Sequence, residues 1–317
     1  MKTLALLVVA FLVGLGGAVV GGLATSDKRQ VTSETAKIEV VATPTPEVCE
    51  IKLAAVGDVM LGRTVQEQML KKQDWAWPFA QTADRLKAAD LTVGNLEAAL
   101  IPGCYQKENR FILCAKPEAR AGLVSAGFDV LSLANNHTLN WGQTGYDESV
   151  RLLKEVGIET IDKERIAIKE ICGVGVGILG LDDVSAPLRL DEVRVQVASV
   201  AAQVQVPVVL IHWGSEYQAE PGVRQKELGH MLVDMGVKVV VGVHPHWTQP
   251  VEEYNGGLIF YSLGNFVFDQ MWSEATRLGE IADVRLQITD DRLTAVDYEL
   301  IPVKIYEFGQ PRVIQSP

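Results

Sequence analysis

Five times along this chain an apolar run of strand length stops abruptly at side chains able to bind a cation. Gly57-Asp58 follows IKLAAV (51–56), Asn95-Leu96-Glu97 closes the run begun by LTVG (91–94), and Asn135-Asn136-His137 follows FDVLSLA (128–134). His212-Trp213-Gly214 ends VPVVLIH (206–212), and His244-Pro245-His246 ends VKVVVGV (237–243). A strand without polar alternation is buried on both faces, which is the condition of a sheet covered on each side. In open α/β sheets ligands bind at the carboxyl ends of such strands, so five polar deposits at five strand ends point to one shared crevice.

The intervening sequence has helix signals. Lys116-Pro117 starts one helix, Thr144 with Asp147 resembles a capping box, Gly157 closes that helix, and Pro221-Gly222 precedes another that ends at Gly236. CGVGVGILGL (172–181) and LIFYSL (258–263) add two further strands. In the last third, ADVRLQI (282–288) and LTAVDYELIPV (293–303) alternate around Asp290-Asp291, the pattern of an antiparallel hairpin. The predicted architecture is therefore layered α/β with mixed sheets.

Only five histidines occur in 317 residues, and four of them, His137, His212, His244 and His246, stand at strand ends. The fifth, His230, falls inside RQKELGHMLVDMG and is assigned a structural or surface role. Carboxylate, amide oxygen and imidazole together suit divalent ions such as Mn, Fe or Zn, and Asp58, Asn95, Glu97, Asn136, His212, His244 and His246 are enough ligands for one or two. In an extended segment His244 and His246 would point the same way, because side chains repeat every two residues.

The N-terminal residues 4–24 carry no charge over 21 positions, long enough for a single-pass membrane helix, with a cleaved signal peptide as the alternative. Residues 25–48 are rich in Ser, Thr and Pro and read as a tether. One folded domain over 49–305 and a tail over 306–317 complete the expected organisation, with the domain extracytoplasmic at the cell membrane. Disulfides are permitted there: Cys104 and Cys114 form the better candidate pair, whereas Cys49 and Cys172 need two strands to bring them together. A net charge of −11 with no basic block excludes nucleic acid as a partner.

AVGDVMLGR (55–63), VGNLEAAL (93–100), AGFDVLSLANNHTLNWGQTG (126–145), IHWGSEY (211–217), VVGVHPHWTQPVE (240–252) and IFYSLGNFVFDQ (259–270) together resemble the CapA family of poly-gamma-glutamate capsule biosynthesis proteins. That family is similar to the calcineurin-like metallophosphoesterases. The resemblance implies a four-layer αββα sandwich, with Asp58 and His246 on one ion and Asn136, His212 and His244 about a second. His137 would protonate the leaving oxygen or stabilise the transition state. The chain departs from the phosphoesterase pattern at Met60, where those enzymes carry a ligand histidine, and at Asn95, where they carry a bridging aspartate.

Arg63 is a candidate anion contact and Glu216 a candidate general base or partner of His212, while Asn265 and Asp269 stand beyond another strand end at the pocket rim. Trp141, Trp213 and Trp247 would either wall the pocket or pack in the core. Two functions are compatible with these readings. One is a metal-dependent hydrolase of a phosphoester or an anionic cell-surface polymer, acting in capsule polymer synthesis or export. The other is a binding or assembly module within a membrane polymer synthase, contacting its subunits.

Overall fold

The computed structural model describes residues 48–104 and 111–315. The expected anchor (1–24) and nearly all of the tether (25–48) lie outside the described residues, and among those residues no helix is long and apolar enough to cross a membrane.

The apolar runs form strands because both of their faces are buried. In Val206–His212, Val208 and Leu210 enter one core, and Val209 and Ile211 enter another. Val48–Val59 divides the same way, with Leu53 and Ala55 on one side and Ala54 and Val56 on the other. Alternate residues therefore fill two hydrophobic layers at once, which requires cover on each face of each sheet.

One sheet runs in the order Gln310–Val313, Arg292–Tyr306, Leu278–Thr289, Val48–Val59, Leu91–Leu96, Val130–Ser132, Glu159–Ile161, with Asn265–Val267 added to the end of Val48–Val59. The second runs Thr248–Tyr254, Gly257–Leu263, Val239–Val243, Val206–His212, Val174–Asp182, Ile166–Ile171. Both mix parallel and antiparallel pairs. Leu53, Val93, Val208 and Phe260 belong to the core between the sheets. Met69, Leu123 and Leu153 cover the outer face of the first sheet from three helices, and Val197 and Leu232 cover the second from two. This is the αββα sandwich expected from the resemblance.

Two glycines bring the sheets together where the strands end. A Cβ at Gly57 would stand 1.9 Å from the carbonyl oxygen of Gly264, and that same oxygen accepts the Asp58 N–H at 3.0 Å. Asp58 is thereby placed beside Asn265 in register. Any side chain at Gly57 would separate these backbones.

Both disulfides form. Cys104–Cys114 (Cα–Cα 5.9 Å) closes a short loop, and Cys49–Cys172 (Cα–Cα 6.2 Å) links the first strand to the turn before Val174–Asp182, so the two sheets are joined covalently. The hairpin is present, with Asp290 (φ 48°) and Asp291 (φ 59°) as the two left-handed residues of its turn. Two expectations are corrected. Residues 306–317 are not merely a tail, because Gln310–Val313 pairs with Arg292–Tyr306 as an edge strand. Thr144 caps nothing: the helix begins at Gly142, one turn's start earlier, and Asp147 accepts instead from Gln143.

Glu280, in Leu278–Thr289, is pushed up to about 7 by burial alone. The fold thus favours the protonated acid, so stability is highest below the ordinary value of 4.5 and falls as pH rises from there through about 7. Glu280→Gln is expected to raise stability at pH 8 by on the order of 1–3 kcal/mol, discounted for partial solvent access, and to leave it nearly unchanged at pH 4, as read by urea unfolding at the two pH values.

Candidate metal centre

Asp58 and Glu97 are both fully buried, and four imidazoles surround them. Asp58 accepts from Asn95 Nδ2 at its Oδ1 (2.8 Å), and at its Oδ2 from the His244 backbone N–H (3.1 Å) and His246 Nδ1 (3.2 Å). Burial alone would raise this carboxyl. The hydrogen bond and charge of His246, with His212 and Asn95, outweigh it and hold Asp58 well below the usual carboxylate range.

The amides fix how this network is polarised. Asn135 Nδ2 donates to the Leu96 carbonyl (3.0 Å), an acceptor only, so its Oδ1 is the atom that accepts the His137 N–H (3.1 Å). The same Nδ2 donates to Asn95 Oδ1 (3.0 Å), which leaves Asn95 turning its N–H toward Asp58. Asn95, expected as a ligand, accepts from Asn135 at its oxygen and orients Asp58 through its N–H. On the far side Asn265 Nδ2 donates to the Thr276 carbonyl (2.9 Å), so its Oδ1 accepts from His246 Nδ1 (2.9 Å) and His246 Nε2 is left facing the centre, 3.9 Å from Glu97 Oε1.

His137 is set by the same logic. Asn140 Oδ1 accepts both the Leu113 N–H (2.8 Å) and His137 Nδ1 (2.9 Å), so the proton is assigned to Nδ1 and the Nε2 lone pair lies 3.6 Å from Glu97 Oε1. Burial lowers its pKa, which keeps the ring neutral at pH 7. Asn136 Oδ1 lies 3.0 Å from His212 Nε2, and His212 Nδ1 lies 3.5 Å from Asn95 Nδ2.

His244 and His246 do converge, but not by strand alternation. Both lie beyond Val239–Val243 with left-handed backbone (φ 95° and 58°), so the expected extended geometry is corrected to a tight turn. Such angles in non-glycine residues are costly and persist where surrounding contacts enforce them. The His244 and His212 rings lie with centroids 4.5 Å apart, tilted by 53°. Two sets of three ligand atoms lie within 4.8 Å of one another: Asp58, Glu97 and His212, and Glu216, His244 and His246.

The remaining candidates divide. Arg63 is paired with Asp269 and lies 5.1 Å from the Phe268 ring, so it is no solvated surface charge. Glu216 is exposed and groups with His244 and His246 rather than His212. Trp213 is core, fully buried with Nε1 donating to the Tyr261 carbonyl at 2.9 Å. His230 is structural, bonded to Glu252 at 3.0 Å and stacked on Tyr254. Asn140 escaped sequence reading altogether, although it stands three residues after His137 in the same motif.

The donor set fits a divalent cation. Glu97 Oε1 and His244 Nδ1 are buried without a hydrogen-bond partner, an arrangement that costs free energy unless something is bound. Burial and the charge of Asp58 push the Glu97 carboxyl well above its usual range, burial and the charge of His244 press His212 well below, and burial with His246 brings His244 to about 4. Neutral imidazoles with free lone pairs are the form that coordinates a metal.

The family model described as "Bacterial capsule synthesis protein PGA_cap" matches residues 52–270. A capsule biosynthesis protein CapA from Bacillus anthracis is 32% identical over 295 residues, covering 84% of this chain and 70% of its own. A PGA biosynthesis protein CapA from Bacillus subtilis is 32% identical over 278 residues, covering 80% and 71%. The crystal structure of a novel phosphatase from Mycoplasma pneumoniae superposes with a TM-score of 0.50 at 14% identity, over 81% of this chain and 95% of that one, a likeness of fold.

Because Glu97 is held in a site that favours its protonated form, the cation-free protein loses stability as pH rises through the raised value. Glu97→Gln is expected to stabilise the EDTA-treated protein at pH 8 by on the order of 1–3 kcal/mol and to abolish the rise in Tm that Mn²⁺ gives the wild type, as measured by calorimetry.

Proposed function

The chain belongs to the bacterial capsule synthesis protein family, and from that premise we propose that it is a membrane-tethered, extracytoplasmic hydrolase acting in the synthesis or export of an anionic capsule polymer of the poly-gamma-glutamate type. Asp58, Glu97, His212, His244 and His246 would hold one or two divalent ions, Mn, Fe or Zn. The observation that carries the reading is the pair of buried, unpartnered ligand atoms, Glu97 Oε1 and His244 Nδ1, where burial presses the imidazoles of His212 and His244 toward neutrality.

A divalent ion held there supplies charge neutralisation and Lewis-acid polarisation of the attacked group. The chain's own residues do the rest. Asn135, through Asn95, aims Asp58, and Asn265 fixes the His246 ring. His137, its Nδ1 proton held by Asn140, has Nε2 free to take up a proton and to return it to a leaving oxygen. Arg63, secured by Asp269, adds positive charge felt at both Glu97 and His137, a favourable field for an anionic substrate. The two disulfides support placement in an oxidising compartment.

A second reading has its own observation. Asn95 offers N–H where the phosphoesterase pattern has a bridging carboxylate, which favours a module that binds polymer for a synthase rather than cleaving it. The two separate in one assay. Protein loaded with Mn²⁺ is expected to hydrolyse a chromogenic phosphodiester or poly-gamma-glutamate, and His137→Ala is expected to lower kcat by about 10²–10⁴-fold with bound Mn²⁺ unchanged. Bound metal and retained polymer without turnover on either substrate favours the binding module.

A further inference from the structure

Glu216 presents a contradiction. It is exposed, on a loop rather than at a strand end, yet its carboxylate comes within 4.8 Å of ligand atoms on two buried histidines, His244 and His246. An unrestrained surface glutamate spreads over many rotamers, so something must hold it there.

The restraint can be traced atom by atom from a backbone carbonyl. Because Thr276 O accepts from Asn265 Nδ2, that amide nitrogen also donates to Gln270 Oε1 (3.1 Å). Gln270 is thus oriented with its Nε2 donating to the Tyr217 hydroxyl (3.2 Å). With that oxygen accepting, the Tyr217 O–H is directed away from Gln270, and burial together with the neighbouring Glu216 carboxylate pushes the phenol up to about 12. Neither amide in the sequence Asn265, Gln270, Tyr217 can be reversed without setting two donors or two acceptors against each other. Its other end is the Asn265 Oδ1 that fixes His246, so one chain of hydrogen bonds orients both His246 and the Tyr217 hydroxyl, on the residue next to Glu216.

The loop backbone is pinned to the same place. The Tyr217 N–H donates to the carbonyl of Pro245, between the two histidines, at 2.8 Å, and Tyr217 itself has left-handed backbone (φ 59°). Its ring packs edge-on against Trp272, centroids 4.9 Å apart, and lies 6.0 Å from the His246 ring.

We propose that Tyr217 is a positioning residue which, through the polarised Asn265–Gln270–Tyr217 chain, holds Glu216 as a loop-borne ligand to a divalent cation shared with His244 and His246. This rests on the cation-binding reading above and adds to it a carboxylate that no strand end supplies. Outer partners of this kind alter metal affinity by about 10–100-fold.

The test is Mn²⁺ titration of the whole protein by calorimetry, with the Mn²⁺ electron paramagnetic resonance spectrum as a second readout. Glu216→Gln and Tyr217→Phe are each expected to weaken Mn²⁺ binding by about 10–100-fold and to change the spectrum, with the Tm in EDTA preserved. In the Glu216→Gln background, Tyr217→Phe is expected to cost nothing further, because its effect passes through that carboxylate. Wild type that binds no Mn²⁺ overturns the cation reading itself. Wild type that binds, with both variants binding equally well or with additive losses in the double variant, overturns this assignment alone.

Discussion

Everything in this centre follows from the burial of two carboxylates, Asp58 and Glu97, where two packed sheets end. Like charges so placed repel, and burial shields them from screening by bulk solvent. The protein resolves the conflict unequally. Asp58 receives an amide N–H, a backbone N–H and an imidazole and stays ionised, while Glu97 keeps one oxygen without a donor and is driven toward its protonated form. The imidazoles respond in kind: burial and His244 press His212 toward neutrality, and burial and His246 do the same to His244. An acid kept short of a counter-charge beside neutral imidazoles is a centre whose electrostatics a divalent ion completes.

Amide orientation is the means by which this asymmetry is built. Asn135 and Asn265 each donate to a backbone carbonyl, at Leu96 and Thr276, and those two anchors set the polarity of the hydrogen bonds that lead through Asn95 to Asp58 and from Asn265 to His246. The capsule-family departure at Asn95 takes its meaning from this. An aspartate there would add a third buried carboxylate, whereas the asparagine gives Asp58 a donor and receives one from Asn135.

The central strands and the convergence of Asp58, His137, His212, His244 and His246 were legible in the sequence because both-face burial leaves an unbroken apolar run and the chain's histidines are few, whereas the order of layers came from the family resemblance, and edge strands such as Ile166–Ile171 and Thr248–Tyr254 were not read. Gln310–Val313 was not legible, since an edge strand of four residues with a proline carries little pattern. Nor was the geometry of His244 and His246: period-two reasoning predicts the same side for both, and the structure achieves that outcome through positive φ angles that no local sequence rule demands of histidine. Asn140 and Gln270 were missed for a more general reason. Their roles exist only through partners such as Leu113 and Tyr217, 27 and 53 residues away.

The most direct measurement is anomalous diffraction at the Mn edge from crystals of the Mn²⁺-loaded protein. The account predicts a peak within coordination distance of Glu97 Oε1, of His244 Nδ1, or of each in turn if two ions bind. Fully occupied Mn²⁺ found elsewhere, with Glu97 and His244 still unliganded, would contradict it.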